Sequence, residues 1–144
     1  MLMFMQNVRI WALVAAALLA GCATTASEGM RVDEAKVELD AFSGRENPSW
    51  QLTETERAEL AKRLDDLRPA TGATWPAPQL GYRGFKVEVK LAGVQAPRLL
   101  DVGFGLVVVR VGSDVPAFYM DDKNLESFLA DQARARGFEA VASR

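Results

Sequence analysis

Two segments of the chain alternate regularly between apolar and charged residues. In residues 35–42 and 85–91 every second side chain is apolar, and most of those between are Lys, Glu or Asp. A period of two places successive side chains on opposite faces of a strand, so each segment predicts a half-buried β-strand. If these two strands are neighbours, their polar faces can bring opposite charges together.

A third segment, residues 99–111, is more apolar and predicts a long strand. Its three valines at 107–109 indicate burial on both faces and therefore a central position in the sheet. Gly103 and Gly105 lie on one face of this strand and indicate that another segment approaches it closely there. Residues 112–114 are typical of a tight turn, and residues 117–120 predict a short fourth strand.

Two further segments have the spacing of amphipathic helices. Thr53 and Glu56 form a capping box, in which each side chain can bind a free backbone N–H of the other residue. This helix is expected to run to about Arg68, where a proline stops it. A second helix is expected over about residues 123–136, with one of the aspartates 121 and 122 as its cap.

The predicted order is strand, helix, strand, strand, short strand and helix. Half-buried strands favour an antiparallel or mixed sheet, here of three to four strands, with both helices on its apolar face. The sequence therefore predicts an α+β two-layer sandwich. We expect a single domain over residues 35–137, followed by a frayed end over residues 138–144.

The beginning of the chain has the pattern of a secretory signal. Residues 10–20 carry no charged or polar group, and at about 1.5 Å per residue they cover only about half of a 30 Å bilayer core. The run ends in Leu-Ala-Gly-Cys at residues 19–22, which resembles a bacterial lipobox. The resemblance implies that residues 1–21 are removed and that Cys22 carries a diacylglycerol thioether. A free or buried thiol after an ordinary signal peptide is the alternative.

The residues after the cysteine predict how the protein is held. Residues 22–34 are rich in small and polar residues and are expected to form a flexible tether. Two acyl chains give stable membrane anchoring. Because Ala23 rather than aspartate follows the cysteine, the resemblance to Gram-negative lipoproteins implies the outer membrane, with the domain in the periplasm or on the cell surface.

Composition excludes several classes of function. Residues 1–21 contain one arginine and no acid, so their removal changes the formal charge from −2 to −3. A mildly acidic chain without a basic block is a poor nucleic-acid binder. The chain has no histidine, which removes the commonest general base and the commonest zinc ligand. We therefore expect no metal, no cofactor and no enzymatic activity.

Two predicted loops contain most of the unusual residues. Their sequences are Ser-Gly-Arg-x-Asn-Pro-x-Trp at residues 43–50 and Leu-Gly-Tyr-Arg-Gly-Phe at residues 80–85. Together they resemble a pattern in small bacterial proteins that include lipoproteins of Burkholderia-type proteobacteria. That family has no assigned activity, so the resemblance implies a fold and a location and supplies no catalytic residues.

Five residues of these loops are candidates for binding. Arg45 and Arg83 carry forked donors suited to carboxylate or phosphate, and Asn47 can both donate and accept. Trp50 and Tyr82 offer flat apolar surfaces with polar tips. The alternative is that these residues only fix loop geometry, with Trp50 filling the core.

We therefore expect a lipid-anchored, non-enzymatic domain that binds an envelope component or a protein partner. One alternative is a structural or assembly lipoprotein whose interface is a sheet edge or a helix face. A hydrolase using only carboxylates and arginine is the less favoured alternative, because it needs a tuned pair of acids about 5–10 Å apart across a cleft.

Overall fold

The computed structural model describes residues 29–138, which form one antiparallel sheet and two helices. Cys22, the signal segment and most of the predicted tether lie outside the described residues. The strands are β1 (Val32–Leu39), β2 (Ser49–Gln51), β3 (Phe85–Leu91), β4 (Arg98–Gly103), β5 (Leu106–Val111) and β6 (Ala117–Met120); the helices are α1 (Glu54–Leu64) and α2 (Leu125–Ala135). Neither helix is long and apolar enough to cross a membrane.

The α+β class is confirmed, but the prediction of three to four strands is wrong. The six strands lie in the order β2-β1-β3-β4-β5-β6, and each neighbouring pair is antiparallel. The predicted strand over residues 99–111 is in fact a hairpin of β4 and β5. Its turn consists of Phe104 and Gly105, both with positive φ, at 55° and 74°. Because one of the two turn residues is aromatic, the apolar run is almost uninterrupted. The sequence pattern therefore does not show where the chain changes direction.

The second additional strand is β2, which lies where the sequence predicts the end of a loop. Its middle residue, Trp50, pairs with Val37 of β1. Three residues are too few for an alternating pattern to be recognised, and tertiary packing makes this segment a strand.

The burial on both faces predicted for residues 107–109 is confirmed at Val107 and Val108, which are fully buried and lie on opposite faces of an interior strand. β5 is second from the edge of the sheet. Residues 68–70 lie beyond β6: the N–H of Met120 donates to the carbonyl of Arg68 at 2.8 Å, and the N–H of Ala70 donates to the carbonyl of Phe118 at 2.9 Å. This extra segment extends the sheet past β6 and covers its edge.

The first two predicted strands are neighbours, as β1 and β3, and their polar faces match in charge. Lys36 lies opposite Glu88, and Glu38 lies opposite Lys86. β1 begins at Val32, so that residues 32–34, which the sequence places in the tether, belong to the sheet. These residues join the sheet because Val32 is buried and pairs with Leu91 at the end of β3.

Both helices contribute to one apolar core on the same face of the sheet. The core contains alternate residues of β1 and β3, together with Leu60 and Ala61 of α1 and Leu125 and Leu129 of α2. Each large side chain buried here contributes about 1.5–3 kcal/mol relative to an exposed one. We call this face of the sheet the helix side.

The predicted helix caps agree with the structure better than the predicted helix lengths do. The Thr53–Glu56 capping box is present on both sides. The N-cap residue of α2 is Asn124, and the expected capping carboxylate comes from Asp121, which accepts from the N–H groups of Leu125 at 2.6 Å and Glu126 at 2.9 Å. α1 ends at Leu64, about one turn before the predicted end.

Candidate functional site

The two loops with the candidate residues meet at one end of the sheet. Antiparallel pairing of β1 and β3 places Leu39 opposite Phe85, so the loop after β1 and the loop before β3 are adjacent. The N–H of Arg83 donates to the carbonyl of Asp40 at 2.8 Å, and the N–H of Asp40 donates to Gly84 at 3.0 Å. We call residues 40–48 and 79–84 the loop junction.

Arg83 is held at the centre of the loop junction by Asp40. Its Nε donates to Asp40 Oδ1 at 3.0 Å, its Nη2 contacts the same oxygen, and Lys86 Nζ lies 3.1 Å from Oδ2. Burial by itself would raise the pKa of Asp40, but the hydrogen bonds and positive charges of Arg83 and Lys86 outweigh it and lower that pKa. Asp40 is therefore a stable anion that occupies the guanidinium fork.

Arg83 also joins the two loops directly. Its Nη2 donates to the carbonyl of Phe42 at 3.1 Å, and its Nη1 donates to Ser43 Oγ at 3.3 Å. All of these partners belong to the protein itself. The sequence predicts the arginine but not its partner, because Asp40 has the position of an ordinary polar residue on an alternating strand.

Asn47 fixes the first loop from within. Its side-chain oxygen accepts from the N–H groups of Phe42 at 2.9 Å and Ala41 at 3.2 Å, and its Nδ2 donates to Glu38 at 3.1 Å. Both the oxygen and the nitrogen of the Asn47 amide therefore make hydrogen bonds that hold the loop.

Arg45 lies at the exposed tip of the same loop. Its guanidinium carbon lies 3.5 Å from the centre of the Phe42 ring, a cation–π contact. Leu80, at the tip of the other loop, is 86 % exposed. The exposed side chains of Arg45 and Leu80, one on each loop, differ from the other polar groups of the junction, which bind one another.

Trp50 packs on the helix side and not at the surface of the junction. Its ring stacks on Phe138 at 6.1 Å and meets the edge of Phe85 at 6.5 Å. Its Nε1 donates to Gln132 of α2 at 3.2 Å. Trp50 therefore connects β2 with the end of α2.

Tyr82 connects the junction with the start of α2. Its hydroxyl donates to Glu126 Oε1 at 2.6 Å, and Glu126 Oε2 accepts from the N–H of Gly105 at 3.5 Å. Burial, and then the hydrogen bond and charge of Glu126, raise the pKa of Tyr82 above its ordinary value of 10.0. Glu126 is not recognisable from the sequence as the partner of Tyr82, because it lies at the start of a helix 44 residues away and its spacing gives no signal.

The close approach expected at Gly103 and Gly105 is confirmed at Gly103 and is wrong at Gly105, a turn residue where an added Cβ would meet nothing within 4 Å. A Cβ added at Gly103 would lie 3.1 Å from Gly84 Cα and 3.5 Å from the Trp75 ring. Trp75 in turn meets Phe104 edge-on, with ring centres 5.5 Å apart. A side chain at Gly103 would push this aromatic group away from the hairpin turn.

A second concave site lies towards the other end of the sheet, on the helix side. It is an apolar cavity of about 250 Å³ between the end of α1 and the strands β3 to β6. Val89 and Leu100 form its buried floor, and Arg98 and Asp66 are its charged lining residues. This cavity is not predictable from the sequence, because its existence depends on the residue at which α1 ends.

The sequence-predicted residues thus fall into two groups. Asn47, Trp50, Tyr82 and Arg83 bind other parts of the protein, and Arg45 is presented to solvent. Within residues 29–138, no group of three or more acidic residues is arranged to hold a metal ion. Comparison of the chain with known protein families, with curated proteins and with solved structures found no match.

Proposed function

We propose that this protein is a lipid-anchored protein of the bacterial envelope whose domain is a non-enzymatic binding module. The proposal depends on one observation: a rigidly connected loop junction presents Arg45 and Leu80 to solvent. Loops held on a fixed scaffold are the usual position of binding residues. Because the loops are already ordered, binding costs little conformational entropy.

The two exposed side chains suggest the chemistry of the partner. Arg45 provides a forked cation suited to carboxylate or phosphate, and Leu80 provides an exposed apolar side chain on the adjoining loop. A protein surface or an envelope component that combines an acidic group with an apolar group would fit both. Arginine is also among the residues that most often dominate binding energy at interfaces.

The electrostatics support binding over hydrolysis. Within residues 29–138, the two carboxyl groups whose pKa clearly shifts are Asp40 and Glu56, and both are lowered. For Glu56, burial acts to raise the pKa, and hydrogen bonds from Thr53 and Arg136 outweigh it. A general acid needs a raised pKa, whereas a lowered one favours a permanent anion that stabilises the fold.

The sheet edges give little support to an assembly lipoprotein that joins partners through strand pairing. β2 has only three residues, and residues 68–70 cover the edge of β6. Short and covered edges are features by which proteins avoid edge-to-edge pairing. The exposed tips are therefore the preferred interface.

The lipid anchor is tested by mass spectrometry of the protein from native membranes. We expect the N-terminal peptide to begin at Cys22 and to carry two or three acyl chains. A free thiol at Cys22, or a chain that retains residues 1–21, would contradict the anchored location.

The binding interface is tested by cross-linking the acylated protein in intact envelopes and measuring the recovered partner. Arg45→Ala should reduce recovery about tenfold or more, because it removes a cation at the centre of the interface. Arg134→Ala, an exposed arginine on α2, is the matched control and should bind normally. Equal recovery with Arg45→Ala and with the unaltered protein, at equal thermal stability, would refute the role of the tip.

A further inference from the structure

The cavity on the helix side is apolar along its depth. Val89 and Leu100, 1 % and 2 % exposed, form the floor, and the half-buried Leu64 and Leu67 form a wall on the side of α1. Its volume of about 250 Å³ equals roughly eight water molecules at about 30 Å³ each. Apolar cavities of this kind bind apolar molecules in preference to water.

Among the described residues that line the cavity, Arg98 is the one cation. Arg98 is the first residue of β4 and lies opposite Val89 and Val111, so by strand alternation it belongs to the helix side. It is half-buried and lines the cavity. Among the described residues, Arg98 makes no ion pair with a carboxylate.

The other polar lining residues limit the charge that fits. Tyr119 is half-buried and carries a hydroxyl, and Asp66 is an exposed residue that follows α1. An anion bound to Arg98 would be repelled by the carboxylate of Asp66, which lines the same cavity. A group with one negative charge is therefore favoured over a phosphate or a dicarboxylate.

We infer that this cavity binds a short aliphatic carboxylate, with its chain against Val89 and Leu100 and its carboxylate on the guanidinium of Arg98. The forked donors of arginine match the two oxygens of a carboxylate. About six to eight carbon atoms fill the cavity, by the same comparison with water volumes. The site lies away from the loop junction and does not depend on the function proposed for it.

The experiment uses the acylated protein in lipid nanodiscs, titrated with octanoate in a calorimeter, with empty nanodiscs measured in parallel. We expect saturable binding at one site after the empty-disc heat is subtracted. From butanoate to octanoate, each added methylene should tighten binding about fourfold, until the cavity is full. Octanol and octylamine, which have the same chain without the carboxylate, should bind at least tenfold more weakly.

Variants separate the site from partition into the bilayer. Arg98→Ala should reduce octanoate binding to the level of octanol, and Asp66→Asn should tighten it. Val109→Phe, or Leu67→Trp at the half-exposed wall, should fill the cavity and abolish binding of both. The control Arg134→Ala should bind like the unaltered protein.

Two results would overturn the inference. One is equal binding of octanol and octanoate to the unaltered protein, because the guanidinium would then have no role. The other is unchanged octanoate binding in both cavity-filling variants while they remain folded, which would place the ligand elsewhere.

Discussion

The two ends of the helix side differ in how completely they are covered, although the same strands run through both. At the loop junction, Phe85 is 1 % exposed and lies between the rings of Trp50 and Tyr82. At the other end, Val89 and Leu100 face a cavity of about 250 Å³. Strand alternation supplies an apolar face along the whole sheet, but the helices and loops decide which part of it is filled.

The physical cause of the difference lies in the connections. Glu126 and Gln132 of α2 reach the junction end through Tyr82 and Trp50. α1 stops at Leu64 and leaves the far end to a few side chains of the following loop. One end is therefore closed by side chains with defined partners, and the other keeps space for a ligand.

The largest expected effect is the loss of Phe85. Phe85→Ala should lower the free energy of unfolding by about 3–5 kcal/mol, because a buried ring with two aromatic contacts leaves a cavity. Leu100→Ala at the open end should cost about 2–3 kcal/mol, near the lower limit for buried leucine, since its surroundings already contain a void. Urea unfolding measures both. An equal or larger cost for Leu100→Ala would contradict the comparison.

The next effect is the loss of the arginine at the junction. Arg83→Ala should destabilise the protein by about 2 kcal/mol, because Asp40, whose side chain is 13 % exposed, loses its main partner. Lys86 still balances part of that charge, which limits the loss. Arg98→Ala at the open end should change stability by less than about 0.5 kcal/mol. Equal values for the two variants in denaturant unfolding would show that Arg83 does not hold the junction together.

The smallest expected effect is a decrease in the free energy of unfolding at acid pH. The pKa values of Asp40 and Glu56 are lowered in the folded state from ordinary values of 3.8 and 4.5. Between the folded and unfolded pKa values the unfolded chain binds more protons, so stability falls as the pH falls. The contribution is complete above about pH 5 and is lost as the pH drops through the lowered values.

This dependence can be assigned to the junction with Asp40→Asn. Unfolding free energy measured from pH 6 to pH 2.5 should fall less steeply in the variant than in the unaltered protein. Arg83→Lys, which keeps the charge but not the fork, should give an intermediate slope. An identical slope in Asp40→Asn would mean that Asp40 is not the group that titrates.

The candidate residues show which features of the site can be predicted from local sequence. Arg83 and Asn47 are recognisable as residues with many hydrogen-bonding groups, and their loops are correctly placed. Their partners Asp40 and Glu38 are not, because both look like ordinary polar positions on a strand. For Tyr82 the partner is Glu126 of the second helix, and only the folded chain brings the two together.

The sequence by itself determined the α+β class, the alternating faces of β1 and β3 with their opposed charges, the capping box of α1 and the aspartate cap of α2. These features depend on periodicity and on residues a few positions apart. Tertiary structure alone decided the split of residues 98–111 into two strands, the covering of β6, the meeting of the loops and the cavity at Arg98. The physical reason is that strand pairing and the covering of the sheet depend on contacts between residues far apart in the chain. A local sequence pattern does not specify which distant segment makes those contacts.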